Sequence, residues 1–435
     1  MRTQIWIYVT ATLVVVLVAL FFFLHKSQRS DSTEPYVDLR HQTRLRVVVR
    51  RDPANVSIDS RLIAAANNFA FRLMKDKAAQ HPGANLLVAP AVLEQSLCMA
   101  MNGASGATRQ AITTALGVQG IKDDDLNIAN TTLLEMLRRP DYNAGILPVY
   151  GLWVPLNVKP TTAYIQQVTD LFSAEVHPID FTSKDARAQL DEWVKNQTVG
   201  KVDHLVPAGE PLNANGMLLC SVATMNAAWQ DQFSPIDSAL MPFTAADGAQ
   251  AVVPMLRRTG MYDYCANEQF QAVGIPYAQG RLSLYIILPA KGIKLEQFEA
   301  ALSDKVWESW MSSFEEKRVM LALPRFTLHQ NVDISATLRT LGLGKAFTAG
   351  QAQFTDLSSI PGLALAQVRH IAHLETCEQG TAAAADFADP VLSPEDPAKK
   401  KWTPTIMTID RPFFLAVRER SSGVLFYIGS VSHVQ

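Results

Sequence analysis

Two histidines three residues apart, His370 and His373, are the nearest approach in this chain to a metal-ligating pair. On a helix that spacing sets both rings on one face, within reach of a single ion. Residues 367–377, however, pattern as a strand, and on a strand the two rings point to opposite faces. His370 then lies with Ala372, Leu374 and Thr376, where a hydrogen-bonded core histidine is expected. The four cysteines, Cys98, Cys220, Cys265 and Cys377, are widely spaced and form no CxxC pair. They predict free, mostly buried thiols, neither a zinc cage nor a disulfide framework. No GxxxxGK[ST] phosphate loop, HExxH zinc helix or GxSxG nucleophile elbow occurs, and Gly342-Leu343-Gly344 is only a fragment of a dinucleotide fingerprint. Trp229 and Phe233, four apart, read as core packing. The expectation is no catalytic residue, no cofactor and no metal.

Residues 378–404 suggest a chemistry of conformation. They begin Glu378-Gln379-Gly380-Thr381-Ala382-Ala383-Ala384-Ala385 and continue into a polar segment crowded with Pro, Asp, Glu and Lys. Small side chains let a strand enter a packed sheet without a large steric clash. The second half cannot do so, because Pro390, Pro394 and Pro397 lack the N–H that a central strand needs. A helix capped by Thr381, with alanines supplying propensity, fits the same residues.

The elements that must position this segment are mixed. Leu62, Ala65, Ala66, Phe69, Leu73 and Met74 recur at three- and four-residue steps, predicting a helix from near Ile58. Further helices are expected over 91–102, stopped by Gly103, and 107–116, stopped by Gly117. Others are expected over 162–172, 184–196, 295–302 and 332–341. Strands are expected over 149–154, 217–225, 282–288 and 318–323, with a terminal hairpin of 413–417 and 424–428. Helices and strands without regular alternation predict the α+β class, not a doubly wound sheet. With 435 residues, 48% hydrophobic and 18% charged, the chain is globular with ample core. A net charge of −2 gives no basis for a nucleic-acid partner.

Residues 5–24 carry no formal charge and are long enough to cross a bilayer as a helix, with Trp6 and Tyr8 near one end. The run closes on Phe21-Phe22-Phe23-Leu24-His25-Lys26 without a small-x-small exit, which favours an uncleaved anchor over a signal peptide. The expected organisation is an anchor over 1–25, a basic linker over 26–57 and a globular domain over 58–435.

Over roughly residues 58–435 the chain resembles the serpin family. Met407-Thr408-Ile409-Asp410-Arg411-Pro412-Phe413-Phe414-Leu415-Ala416-Val417 looks like the family signature. Asn85-Leu86-Leu87-Val88-Ala89-Pro90 with Gly103-Ala104-Ser105-Gly106-Ala107-Thr108 resembles the second helix and its exit. Trp193-Val194 with Thr198-Val199-Gly200-Lys201-Val202 is similar to the end of helix F and the connection after it. Trp229 matches the tryptophan at the top of the third strand of sheet A, and Leu323-Pro324-Arg325-Phe326 and Leu338-Arg339-Thr340-Leu341-Gly342-Leu343, closed by Phe347, match later blocks.

The resemblance implies three β-sheets, eight to nine helices and an exposed reactive loop over about 378–404. It also implies an inhibitor of serine, or cysteine, proteases that works as a monomeric suicide substrate, its cleaved loop inserting into sheet A. Glu378, Gly380 and Thr381 match the hinge of inhibitory members, and Ala383, Ala384 and Ala385 its small-residue stretch. His370 aligns with the shutter histidine, with Ser221 where an asparagine is usual and Ala89 and Val92 replacing serines. Counting from Gly380 by the inhibitory spacing places the reactive bond at Pro394–Glu395; Leu392–Ser393 lies two residues early and Lys399, Lys400 and Lys401 too far along. The alternative is a non-inhibitory serpin, a membrane-tethered binding or chaperone-like protein. Asp389, which would be an inward carboxylate on insertion, and Pro390, which would lose a ladder bond, motivate that alternative. In either case the domain is expected outside the cytoplasm, where proteases are the commoner targets of the family.

Overall fold

A computed structural model of the chain describes residues 58–138, 143–213, 215–381 and 405–434. The apolar run over 5–24, the residues Ala383, Ala384 and Ala385, and the Pro394–Glu395 bond lie outside the described residues. Among the described residues no helix is long and apolar enough to cross a membrane.

The described residues form nine α-helices: α1 (Ser60–Gln80), α2 (Pro90–Asn102), α3 (Gly106–Leu116), α4 (Asp123–Arg138), α5 (Thr162–Phe172), α6 (Ala186–Gln197), α7 (Leu295–Ala301), α8 (Asp304–Met311) and α9 (Ser335–Leu338). The strands are β1 (Leu86–Val88), β2 (Ala144–Pro155), β3 (Glu175–Ile179), β4 (Met217–Ala228), β5 (Ala239–Thr244), β6 (Gln250–Ala266), β7 (Phe270–Pro276) and β8 (Leu282–Pro289). They continue with β9 (Glu315–Pro324), β10 (Thr327–Asp333), β11 (Leu365–Glu375), β12 (Gly380–Thr381), β13 (Thr405–Thr408), β14 (Phe413–Glu419) and β15 (Leu425–Val431).

Local signals explain most of the boundaries. Asp59 caps α1 by accepting the Arg61 N–H, and the apolar stripe read from the sequence is its buried face. Pro90 opens α2, where its missing N–H costs nothing, and every residue of that helix is buried. Gly117 ends α3 in the left-handed region at φ 75°. The helix expected over 332–341 is shorter than its periodicity implies: α9 stops at Leu338 and gives way to a wider turn in which Gly342 takes φ 105°.

Two hydrogen-bonded sheets result. One has nine strands, β1-β15-β14-β8-β7-β6-β9-β13 with β5 on β6. The 17-residue β6 pairs in turn with β5, β9 and β7, so the two smaller sheets of the expected three share one ladder network. The other, six-stranded, runs β10-β11-β4-β2-β3 with β12 on β4. β4 and β11 are buried on both faces over most of their length; β4 is accordingly largely apolar, whereas β11 carries the buried Arg369 and His370 and the half-buried His373. On their inner side lies the main core; on their outer side α6 and the connection after it cover a smaller one with Trp153, Cys220 and Ile371.

Candidate functional site

β4 and β11 run parallel, paired from Leu365↔Met217 to His373↔Thr224. Each has an antiparallel neighbour on its other side, β2 and β10. A parallel ladder is slightly weaker per residue than an antiparallel one. One strand running against both would replace this single parallel seam by two antiparallel ones. By direction alone, the seam is where another strand fits.

Two residues occupy the start of that position. The pairing of β4 with β11 stops at His373↔Thr224, although β4 continues to Ala228. In the space beyond, β12 lies antiparallel on β4, Gly380 opposite Ala228 and Thr381 opposite Ala227, while Thr381 also bridges Thr376. The reversal is closed by the Cys377 N–H donating to the Gly380 carbonyl at 2.8 Å. A Cβ at position 380 would lie 2.0 Å from the Ala227 carbonyl oxygen, so the approach of the two backbones requires glycine.

Side chains hold this hinge. Thr381 Oγ1 meets the buried Tyr277 hydroxyl at 2.6 Å. Tyr277 stacks on Trp229 with ring centroids 4.4 Å apart and planes 11° from parallel. Trp229 donates from Nε1 to the Cys377 carbonyl at 2.8 Å and from its backbone to the Gln379 carbonyl at 2.9 Å. Glu378 accepts from Ser238 at 2.8 Å and from the Arg325 guanidinium. Burial pushes the Glu378 carboxyl up, but the bonds from Arg325 and Ser238 outweigh it and hold the group ionised below its ordinary range.

Further along the seam His370 stands directly opposite Ser221. The Ala89 N–H, at the entrance to α2, donates to His370 Nε2 at 3.0 Å. That leaves the proton of a neutral ring on Nδ1, which donates to Ser221 Oγ at 2.9 Å. Burial holds the imidazole well below its ordinary value, at about 3, so it is neutral near pH 7. A serine beside a histidine raises the question of a nucleophile and its base. Here Nδ1 gives a proton to the serine rather than taking one, and both residues are sealed in the core. The pair is a brace across the seam.

The structure therefore brings Glu378, Gly380, Thr381 and Trp229 together at one end of the seam and His370 and Ser221 at its middle. The departures in the shutter do not leave His370 without partners, since a backbone N–H needs no particular side chain at position 89. His370 and His373 do fall on opposite faces of β11, and no group of three metal-ligating side chains occurs among the described residues. All four cysteines are free and three are buried. Tyr277, Ser238 and Arg325 were missed by sequence reasoning. Tyr277 is 104 residues from Thr381 and carries no local signal for that contact.

Residues 64–434 match the family model described as Serpin (serine protease inhibitor). An uncharacterised serpin-like protein of Thermococcus kodakarensis is 30% identical over 372 residues, covering 85% of this chain and 84% of its own. Neuroserpin of Gallus gallus is 27% identical over 358 residues, covering 80% and 86%. Among solved structures, human thyroxine-binding globulin complexed with thyroxine superposes with a TM-score of 0.78 at 25% identity, covering 86% of this chain and 98% of its own. The chain belongs to the serpin family.

Proposed function

We propose that this serpin inhibits serine, or cysteine, proteases as a suicide substrate whose cleaved loop inserts into the β4–β11 seam. The observation that carries this reading is the placement of Gly380 and Thr381. A seam with room for one more strand already holds two residues of it, in the required direction. Continuing their register two residues at a time brings Ala383 opposite Met225, Ala385 opposite Ala223 and Phe387 opposite Ser221 on β4. On β11 the same positions meet Leu374, Ala372 and His370. Phe387 would thus arrive between Ser221 and His370, replacing their hydrogen bond with aromatic packing. Asp389 would follow between Leu219 and Val368, both fully buried, where a carboxylate must be paired or protonated. Pro390 would then lose one ladder bond.

The chemistry belongs to the protease. Its nucleophile attacks the carbonyl of the residue before the cut, Pro394 by spacing. The proton passes through the protease's own base to the departing amine of Glu395. An acyl-enzyme remains, and insertion competes with the water that would release it. Two antiparallel ladders in place of one parallel seam supply the driving force. The apolar run over 5–24 would tether the 58–435 domain to a membrane, on the extracytoplasmic side, as a monomer.

The test is incubation of the full chain, in mild detergent, with a panel of trypsin-, chymotrypsin- and elastase-like enzymes and a papain-like one. An SDS-stable adduct whose mass places the cut at Pro394–Glu395 is expected. Cleaved product alone, across the panel, overturns the reading. The second reading, a tethered binding or chaperone-like protein, is favoured by Asp389 and Pro390 and by the likeness to thyroxine-binding globulin. On that reading loop cleavage leaves the melting temperature unchanged, whereas insertion raises it sharply.

A further inference from the structure

Residues 198–213, which follow α6, cross the outer face of the seam and are fastened on both sides of it. On one side α6 is fixed to the edge of the sheet. Trp193 Nε1 donates to Glu175 of β3 at 2.7 Å, Gln197 donates to the same carboxylate at 2.9 Å, and the Trp193 ring packs edge-on against Trp153 of β2 at 5.7 Å. On the other side the connection is held to β10 and β11. Asn331 donates to the His204 carbonyl at 2.8 Å, and Arg369 Nη1 meets Glu210 Oε2 at 2.5 Å. Arg369 is fully buried, and its Nε donates to Asn331 at 3.0 Å. Arg187 of α6 binds the carbonyls of Val206, Pro207 and Glu210, which makes helix and connection one body.

A strand entering between β4 and β11 drives them apart by one strand spacing, about 4.8 Å. A body bound to β2 and β3 on one side and β10 and β11 on the other cannot keep both attachments. The first joins aromatic packing to two hydrogen bonds on Glu175, and detaching it exposes Trp193 and Trp153 to water. The second ends on Glu210, whose side chain is 43% exposed and can hydrate as it leaves. We propose that the Arg369–Glu210 pair is the clasp of this strap, and that its release sets the rate at which the seam opens.

The clasp rests on the insertion reading given above and deepens it. α6 stays with β2 and β3, so in the inserted form Glu210 is carried about one strand spacing from Arg369 and the pair stays broken. A contact present in the native form and absent from the inserted one leaves a signature that a merely structural ion pair does not.

The test uses the full chain and a synthetic peptide with the sequence of residues 380–391, annealed as the added strand and followed by native gel. Glu210→Ala is expected to anneal about tenfold faster than wild type, the scale of one partly exposed ion pair lost from the ground state alone. It lowers the melting temperature of the native form and leaves that of the peptide-bound form unchanged. Asp203→Ala is the control, since Asp203 lies on the same connection but pairs with Lys195 of α6 and not with the sheet. It is expected to anneal at the wild-type rate. Annealing of Glu210→Ala at the wild-type rate overturns the clasp and leaves the inhibitory reading standing. Equal acceleration by both variants, or equal loss of melting temperature in both forms, overturns it as well. Failure of every variant and of wild type to anneal overturns the clasp together with the insertion reading.

Discussion

Where β4 reaches Ala228 the seam already holds two residues of an added strand, while at its middle it is closed by a buried histidine. The first region is polar and wide: Thr381, Tyr277, Trp229 and Glu378 form a chain of hydrogen bonds and ring contacts that holds the hinge in place. The second is narrow, and among the described residues a side-chain bond joins His370 to Ser221 across it. On the insertion reading, the contrast means that a strand is seeded at one end and resisted at the other. Directional pairing favours the strand that enters, and the brace and the strap oppose the separation it needs.

Four experiments would break or sharpen this contrast. Gly380→Val has the largest expected effect, because its Cβ would meet the Ala227 carbonyl oxygen at 2.0 Å. It should expel the hinge and, on the inhibitory reading, leave only a substrate, read as loss of SDS-stable adduct with cleavage retained. Persistence of the adduct would sink the seeding idea.

His370→Ala comes next. It removes the brace, leaves the Ala89 N–H unpaired in the core and opens a small cavity, for a loss of roughly 3 kcal/mol in denaturant unfolding. If the middle of the seam is the barrier, peptide annealing should also accelerate in this variant.

Titration separates the brace from the helix that supports it. The His370 ring titrates at about 3 in the fold against an ordinary 6.5. Its contribution is therefore complete above pH 6.5 and is lost as pH falls toward 3, amounting to about 2 kcal/mol by pH 5. His373, held at about 4 by burial and by the neighbouring His329 and Lys201, acts in the same direction. Glu94 of α2 has the opposite sign, since burial raises it to about 8 from 4.5. Its contribution is complete below pH 4.5 and is lost as pH rises toward 8. Glu94→Gln should remove about 2 kcal/mol of stability loss between pH 6 and 7.5, measured by denaturant midpoints across pH.

The smallest effect is expected of Thr381→Val. It keeps the shape of the side chain and removes the bond to Tyr277, for about 1 kcal/mol and a modest rise in the fraction of substrate turnover. An unchanged partition between adduct and cleaved product would show that the backbone pairing of β12 suffices.

Much of this was legible along the chain. The helix stripe of α1, the glycine stops at 103 and 117, the strands β4 and β11 and the terminal hairpin follow from periodicity and turn chemistry. Gly380 and Thr381 stood out by residue type, and the structure pairs them with β4. α4, β5, β6 and β10 were not, since each keeps an exposed face and alternates weakly, and β7 was not either, although it is an interior, largely buried strand. The shutter was half legible. Ala89 and Val92 replacing serines suggested a histidine short of partners, but the donor that satisfies it is a backbone N–H, which no substitution at that position reveals.

By itself the sequence determined the family, the absence of familiar enzyme motifs and the run of small residues after Gly380, because each is a property of residue identity and order. Tertiary structure decided that β4 and β11 lie parallel, that Thr381 has already entered beside them and that Arg369 reaches Glu210 across the outer face. These depend on contacts between segments scores of residues apart in sequence. Hydrogen bonds and burial select such partners in space, and no local pattern records the choice.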